Sequence, residues 1–297
     1  MSFSSLRRSL LIALAASPMI GVRAQPASSV SINLAAHEQF EKLESTSGGR
    51  LGVAALNTAD GAVVSYRESE RFPMCSTFKL LAVALILKRS MAERSLLDER
   101  VRFGESDLVV NSPVTQARAR DGMTIGELCA AALQHSDNTA ANLLLTALGG
   151  PEVLNEFANS IGDTWFDLVR NEPDLNASVP GDMRDTTTPR AMMLDAQKCL
   201  LADDVLGRPQ REQLNAWMLG NTTGAGRIRA AVPTGWRVAD KTGSGDYGTA
   251  SDVAAVYPPG AAPFVVAIYF TGVMPKETPP RSEIVAEAAR IVFDAMR

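Results

Sequence analysis

The chain has 297 residues, of which 46% are hydrophobic and 21% charged, so it is long enough to bury the core of one large globular domain. Its net charge of −4 and isoelectric point near 5.4 argue against nucleic acid as a partner.

The first 24 residues have the pattern of an export signal. Arg7 and Arg8 precede an apolar segment over residues 10–16, and Val22 and Ala24 occupy the positions that a signal peptidase reads. This segment is too short to span a membrane, and the arginine pair leaves twin-arginine export open. We expect cleavage after Ala24 and an exported monomer without a membrane anchor, periplasmic in a Gram-negative cell and otherwise secreted.

Strands at both ends of the chain enclose a helical middle. Helical periodicity over residues 32–44 is followed by a strand, a turn and a strand over residues 50–66. The pattern then predicts helices at residues 77–89, 125–134, 138–148, 153–161, 189–201, 208–219 and 283–296, and strands at 237–242, 251–257 and 264–271. Between residues 161 and 188 lies a long irregular stretch of the kind that usually carries function.

This order predicts a single domain of residues 25–297 with an α/β (α+β) fold in two subdomains. An antiparallel sheet flanked by helices would come from about residues 25–67 and 221–297. An all-helical insertion would come from about residues 68–220. We expect the active site in the cleft between the two parts.

Ser76 and Lys79 lie three residues apart at the start of the apolar helix predicted at residues 77–89. On one helix face the Lys79 ammonium can reach the Ser76 hydroxyl, and a serine needs such a neighbour to become a nucleophile. The alternative is that Ser76 merely caps the helix and Lys79 is solvated. The apolar run that follows leaves Lys79 little surface to reach.

Histidines and cysteines exclude other chemistries. His37 and His135 are the only histidines, and neither has metal-ligand spacing around it, so a zinc enzyme and a Ser-His-Asp hydrolase are both disfavoured. We interpret His135 as an ordinary pocket or surface side chain. Three cysteines allow at most one disulfide bridge, so the fold depends largely on its core.

Three further motifs follow in order along the chain. They are Ser136-Asp137-Asn138 between two helices, the segment from Arg170 to Asn176 in the long loop, and Lys241-Thr242-Gly243 on a strand. Together with Ser76-Thr77-Phe78-Lys79 they resemble the motif set of the class A serine β-lactamases, and the resemblance runs from about residue 32 to the end of the chain. It implies a β-lactamase/transpeptidase-like fold that hydrolyses penicillins and cephalosporins with a water molecule, confers antibiotic resistance and uses no cofactor or metal.

Each motif also has a chemical reason. Ser76 would be the nucleophile, and Ser136, beside two lysines, could relay a proton to the leaving nitrogen, although it could instead cap the next helix. Asn138 offers its amide to the substrate or to Lys79. The strand motif would bind a carboxylate and complete an oxyanion hole through Lys241, Thr242, Gly243 and Ser244.

Glu172 and Asn176 are four residues apart, so one helical turn would direct both at a single water. The resemblance implies that this water deacylates the enzyme with Glu172 as base, and leaves open whether Glu172 or Lys79 activates Ser76. It also implies a cis bond before Pro173 and a structural Arg170–Asp185 salt bridge that closes the loop over residues 170–185.

The chain departs from the family pattern near the substrate carboxylate. Many relatives have an arginine near residues 249–251 that binds the substrate carboxylate, and this chain has none there. Arg227 matches the position from which some family members supply this positive charge instead, and Arg281 is a less favoured candidate. Either could instead be a solvated surface arginine. Asn111 occupies a cleft-wall position usually filled by an aromatic residue.

Two disulfide bridges of related branches cannot form here. Cys75 would need a cysteine at Gly245, and Cys129 would need one at Val83, so these two and Cys199 are predicted to be free, buried thiols. The residues from Ser244 to Asp246 weakly resemble enzymes that accept oxyimino cephalosporins.

Two other functions share part of this chemistry. A penicillin-binding D,D-peptidase and a β-lactam sensor both acylate a serine, but neither has the Glu-x-x-x-Asn pair, and sensors normally carry membrane spans. The sequence therefore favours a hydrolase over both.

Overall fold

The computed structural model describes residues 27–296, so the predicted export signal lies outside the described residues. Within this part, the helices are α1 (Ala27–Ser47), α2 (Lys79–Ser90), α3 (Pro113–Gln116), α4 (Ile125–Gln134), α5 (Asn138–Leu148), α6 (Pro151–Ser160), α7 (Pro189–Leu200), α8 (Arg208–Leu219) and α9 (Ser282–Ala295). Short 3₁₀ turns lie at Cys75–Phe78, Leu96–Asp98, Glu105–Asp107, Asp174–Ala177 and Ile228–Ala231. None of the helices described here has the length and apolarity to span a bilayer.

The main sheet joins the two ends of the described chain. Its strands are β1 (Arg50–Asn57), β2 (Val63–Tyr66), β7 (Arg237–Ser244), β8 (Ala250–Tyr257) and β9 (Phe264–Thr271). They lie in the antiparallel order β2-β1-β9-β8-β7, with Ala54 opposite Ala267 at the β1–β9 junction. Two short pairs lie outside it, β3 (Phe72–Pro73) with β6 (Thr186–Thr187) and β4 (Arg100–Val101) with β5 (Met123–Thr124).

Both faces of the sheet are covered, and this explains the hydrophobic sequence of β9 from Phe264 to Phe270. Val265 and Ala267 point into a core shared with the helical insertion, whereas Val266 and Ile268 point into a second core beneath α1 and α9. Successive strand residues face opposite sides, so a strand covered on both faces buries apolar residues in both cores. The edge strand β7 is thereby held against the helical part, where the cleft lies.

The helix that follows Ser76 begins later than the sequence predicted. Residues Cys75–Phe78 form a 3₁₀ turn, and the α-helix starts at Lys79. Cys75 is left-handed, with φ of 44°, so the chain turns sharply before Ser76. Leu80 to Leu87 are all buried, as expected for a helix at the centre of the helical layer.

Two buried carboxyl groups meet where the chain enters and leaves the long loop. Asp163 follows α6 and accepts hydrogen bonds from the backbone nitrogens of Trp165 (2.7 Å) and Phe166 (3.1 Å). Asp195 lies on α7, and burial, reinforced by the charge of Asp163, raises the pKa of Asp195 well above its ordinary range. Asp195 therefore binds a proton more tightly in the folded protein than in the unfolded chain.

We expect Asp195→Asn to remove a pH-dependent loss of stability. A raised folded-state pKa makes the folded protein bind the proton more tightly, so stability falls as pH rises above about 4, by on the order of 1 kcal/mol per pH unit, until the folded-state pKa is reached. Asn cannot ionise and can still donate to Asp163. Urea unfolding at pH 5 and pH 8 should show a smaller fall in unfolding free energy for the variant, whereas Asn at the exposed Asp204 should leave the fall unchanged. An identical fall in Asp195→Asn and the unmodified protein would contradict this origin.

Candidate active site

The predicted nucleophile lies at the base of an open cleft of about 580 Å³ between the helical part and the edge of the sheet. Ser76 is 7% exposed, and its hydroxyl donates to Oε1 of Glu172 at 2.9 Å. The same Oε1 is 2.8 Å from the Lys79 ammonium. Glu172 thus bridges Ser76 and Lys79. The sequence predicted a direct hydrogen bond between these two side chains, and the described residues show none.

Lys79 is completely buried, in agreement with the interpretation of its surroundings. Its ammonium donates to the Ser136 backbone oxygen and to Oδ1 of Asn138, each at 2.8 Å. Burial lowers the pKa of Lys79, and the adjacent Glu172 charge opposes this effect. A lysine shifted in this direction gives up its proton more readily, so it can exchange one with its neighbours.

Ser136 lies in the loop between α4 and α5, and its backbone is left-handed with φ of 55°. The helix cap is Asp137, which accepts from the Ala140 nitrogen at 2.9 Å, so the alternative of a Ser136 cap is wrong. Asp137 also accepts from the backbone nitrogens of Val114 and Thr115, which holds the loop in place. The Ser136 hydroxyl is left to accept from the Lys241 ammonium at 2.9 Å.

Strand β7 brings the third motif to the cleft. Lys241 is fully buried, and burial together with the nearby Lys79 charge lowers the pKa of Lys241 well below its usual range. Thr242 shares a hydrogen bond with Thr223 at 2.5 Å. A Cβ on Gly243 would lie 2.9 Å from the Met74 backbone oxygen and also clash with the side chain of Ser251, so only glycine lets β7 approach the nucleophile turn.

Arg227 is a buried cleft residue rather than a solvated arginine. Its Nη1 donates to the backbone oxygens of Gly243 and Ser251, and its Nη2 donates to the Ser244 hydroxyl, each at 2.6 Å. Arg281, the less favoured alternative, donates to Glu283 and to the Ser47 backbone oxygen instead. The positive charge at the β7 edge of the cleft therefore comes from Arg227 together with Lys241.

Carboxyl groups beneath the sheet edge do not cancel this charge. Asp252 lies fully buried on β8, and burial together with the neighbouring Asp240 raises the pKa of Asp252 to about 8. Asp240 pairs with Arg229, with an Oδ1–Nη2 distance of 2.5 Å. The raised pKa of Asp252 and the pairing of Asp240 with Arg229 both reduce the negative charge that these carboxyl groups place beside Arg227.

The long loop places Glu172 and Asn176 together. A 3₁₀ turn at Asp174–Ala177 brings the Asn176 amide nitrogen directly onto Oε2 of Glu172, where the sequence predicted a water between them. The Glu172–Pro173 peptide bond is cis. Arg170 and Asp185 form the implied salt bridge at 2.5 Å, and the buried Asp185 also accepts from the Val169 and Arg170 backbone nitrogens.

Asn142 is a positioning residue that the sequence reasoning missed. On α5 its amide nitrogen donates to the Glu172 backbone oxygen at 2.8 Å, and its Oδ1 accepts from the Glu172 nitrogen at 3.0 Å. This paired contact fixes the backbone of Glu172. The available signal was its spacing of four residues from Asn138, which places both amides on one helix face.

The remaining sequence expectations concern the cleft wall and the thiols. Asn111 lines the cleft with φ of 60°, and its backbone oxygen accepts from the Asn138 nitrogen at 3.1 Å. Cys75, Cys129 and Cys199 are free and buried, as predicted.

With this geometry established, comparison with known proteins identifies the family. The model of the β-lactamase enzyme family matches residues 35–296. The chain belongs to the class A serine β-lactamases. The predicted enzyme class and the activity of that class, hydrolysis of the β-lactam amide of penicillins and cephalosporins, are confirmed, and with them the link to antibiotic resistance.

Relatives cover nearly the whole domain of this β-lactamase. It is 51% identical over 257 residues to β-lactamase CTX-M-25 of Escherichia coli, covering 86% of this chain and 88% of that protein. It is 49% identical over 262 residues to β-lactamase OXY-2 of Klebsiella oxytoca, covering 88% and 90%. A solved β-lactamase structure from Burkholderia phymatum is 79% identical, covers 90% of this chain and 100% of that one, and superposes with a TM-score of 0.89, which confirms the predicted fold class.

We expect Gly245→Ala to destabilise the contact between β7 and the long loop. A Cβ there would lie 2.5 Å from the Asn176 backbone oxygen and 2.9 Å from the Cys75 sulfur, and backbone cannot rotate away as a side chain can. Overpacking of this kind costs about 1–3 kcal/mol. Urea denaturation should show the loss, while Gly226→Ala, whose Cβ meets nothing closer than 4.0 Å, should leave the β-lactamase near its original stability. Equal stability of both variants would contradict the tight packing.

Proposed function

We propose that Ser76 is the acylating nucleophile of this β-lactamase, and the bond from its hydroxyl to Glu172 is the observation that supports this most directly. Its Oγ attacks the carbonyl carbon of the β-lactam while its proton passes to Glu172, whose Oε1 accepts the Ser76 hydroxyl bond directly. Lys79 can serve as the base instead only after it has given its own proton to Oε1 of Glu172, which it contacts at 2.8 Å, and so become a neutral amine. The backbone nitrogens of Ser76 and Ser244 form the oxyanion hole for the developing charge.

Ser136 protonates the leaving nitrogen in this proposal. As the C–N bond breaks, the nitrogen takes the hydroxyl proton of Ser136, which Lys241 or Lys79 can replace. The 2.9 Å bond from Lys241 to the Ser136 hydroxyl and the lowered pKa of Lys241 support this relay.

Substrate binding uses the two sides of the cleft. Lys241, Thr242 and Ser244 bind the carboxylate along β7, with Gly243 allowing the close approach and Arg227 adding charge through Ser244. On the other side, Asn138 and Asn176 line the cleft where the acylamino group of the substrate would lie. Asn138 also orients Lys79 through its Oδ1.

Deacylation requires a water activated by Glu172 and oriented by Asn176. Oδ1 of Asn176 is buried and has no partner among the described residues, so it can accept one proton of that water while Glu172 accepts the other. This pair favours a β-lactam hydrolase over a D,D-peptidase, which lacks the Glu-x-x-x-Asn pair. We further propose that residues 1–24 export the enzyme, in a Gram-negative cell to the periplasm, and that it acts as a monomer without nucleic-acid or membrane partners.

Glu172→Ala should trap the acyl-enzyme. Without the general base, release of the hydrolysed drug should slow by roughly 10²–10⁴-fold. Mass spectrometry after mixing with a penicillin should show a persistent adduct on Ser76. Asp174→Asn changes an exposed carboxylate in the same turn and should clear the adduct normally. Rapid clearance in Glu172→Ala would exclude the assigned role.

Arg227→Ala should raise KM for penicillins, because it removes a charged contributor to carboxylate binding worth about 1.5–3 kcal/mol, or roughly 10–100-fold. The methyl ester of the same penicillin supplies the control, since it presents no carboxylate. KM for the ester should change little. An unchanged KM for the acid, or an equal rise in KM for acid and ester, would reject the proposed binding of the carboxylate by Arg227.

A further inference from the structure

His135 lies directly before Ser136 in the loop between α4 and α5, and its exposed side chain lines the cleft. The roles proposed for the cleft residues do not use it. Its neighbours in the cleft wall include Thr223, which is bonded to Thr242 of the carboxylate site. His135 therefore stands beside both the leaving-nitrogen group and the carboxylate group of the proposed site.

The hydrogen bonds around His135 define which ring nitrogen carries the proton. Thr222 donates its only hydroxyl proton to the Gln134 backbone oxygen at 2.8 Å, because a carbonyl can only accept. The Thr222 oxygen is also 3.3 Å from Nδ1 of His135. With the hydroxyl proton committed to the carbonyl, this contact favours the tautomer in which Nδ1 is the donor.

The consequence concerns the other nitrogen of the ring. In a neutral imidazole one nitrogen donates and the other accepts, so a proton on Nδ1 leaves a lone pair on Nε2. Nε2 has no hydrogen-bond partner among the described residues. His135 thus adds an acceptor to the cleft wall beside Thr223, near the cationic side chain of Arg227, which can only donate.

The chemistry of the substrate indicates what this acceptor meets, given the proposed function. In a cephalosporin the carbon that bears the carboxylate is bonded to the leaving nitrogen, and the next ring carbon, C3, bears a variable substituent. With the nitrogen at Ser136 and the carboxylate at Thr242, the C3 substituent would lie along the part of the cleft wall that His135 and Thr223 line. The acylamino group lies on the opposite side, toward Asn138 and Asn176.

We propose that Nε2 of His135 accepts a hydrogen bond from C3 substituents that carry a donor, and so makes this enzyme favour donor-bearing cephalosporins. Penicillins carry methyl groups at the corresponding end of the molecule and gain nothing from this contact. His135 is therefore a specificity-determining residue, and the bond-making steps do not involve it.

Two cephalosporins with the same acylamino group test this, one with hydroxymethyl and one with methyl at C3. The measured quantity is the ratio of their kcat/KM values at pH 8. One neutral hydrogen bond is worth about 1 kcal/mol, so the unmodified enzyme should favour the hydroxymethyl compound by roughly fivefold. Taking the ratio cancels any general effect of a variant on folding or catalysis.

Three variants assign the effect to one nitrogen. H135F keeps an aromatic ring without nitrogen and should bring the ratio to about one. H135N places its amide near the position of Nδ1 and should also lose the preference, whereas H135Q reaches the position of Nε2, can present its oxygen and should retain it.

Three results would contradict the proposed role of His135. A ratio near one in the unmodified enzyme, a ratio that H135F leaves unchanged, or a preference kept by H135N and lost by H135Q would each overturn the proposal. Failure of the unmodified enzyme to turn over even the methyl compound would instead reject the proposed function of the site.

Discussion

A single carboxylate oxygen, Oε1 of Glu172, joins the three elements around the proposed nucleophile. It accepts from the Ser76 hydroxyl and lies against the Lys79 ammonium, so one atom joins a loop, a 3₁₀ turn and the first residue of α2. The ion pair is entirely buried, and a buried pair is stable only when its geometry and remaining hydrogen bonds are satisfied. Asn142 meets this requirement at the Glu172 backbone, and Ser136 and Asn138 meet it at Lys79.

The long loop is built to keep this oxygen in place. Asp185 accepts from Arg170 and from two backbone nitrogens, which closes the loop on itself, and Asn142 attaches it to α5. The Cys75 sulfur and the Ser178 hydroxyl, 3.5 Å apart, connect the loop to the nucleophile turn beside Gly245. Each attachment involves a buried polar group, and leaving such a group without a partner costs about 1–3 kcal/mol. The loop is therefore irregular in shape without being loosely held.

The sequence could predict which motif residues lie together at the cleft, because residue type and spacing within a motif can be recognised without knowledge of the fold. The helix ends marked by Pro and Gly could also be predicted from the sequence, as at Pro189 and Gly149. The sequence could not predict the contacts of Asn142, the left-handed turn at Cys75 or the hydrogen bonds of His135. Each depends on contacts between segments distant in sequence, which form only when the helical part and the sheet pack together.

The sheet order has a consequence for when the enzyme becomes active during synthesis. β1 near the start of the domain pairs with β9, more than 200 residues later, and β7 supplies one wall of the cleft. The ribosome therefore synthesises Ser76, Lys79 and Glu172 well before β7, which forms the opposite wall of their cleft. A nascent chain therefore holds Ser76 in an incomplete cleft until the last strand has closed the sheet.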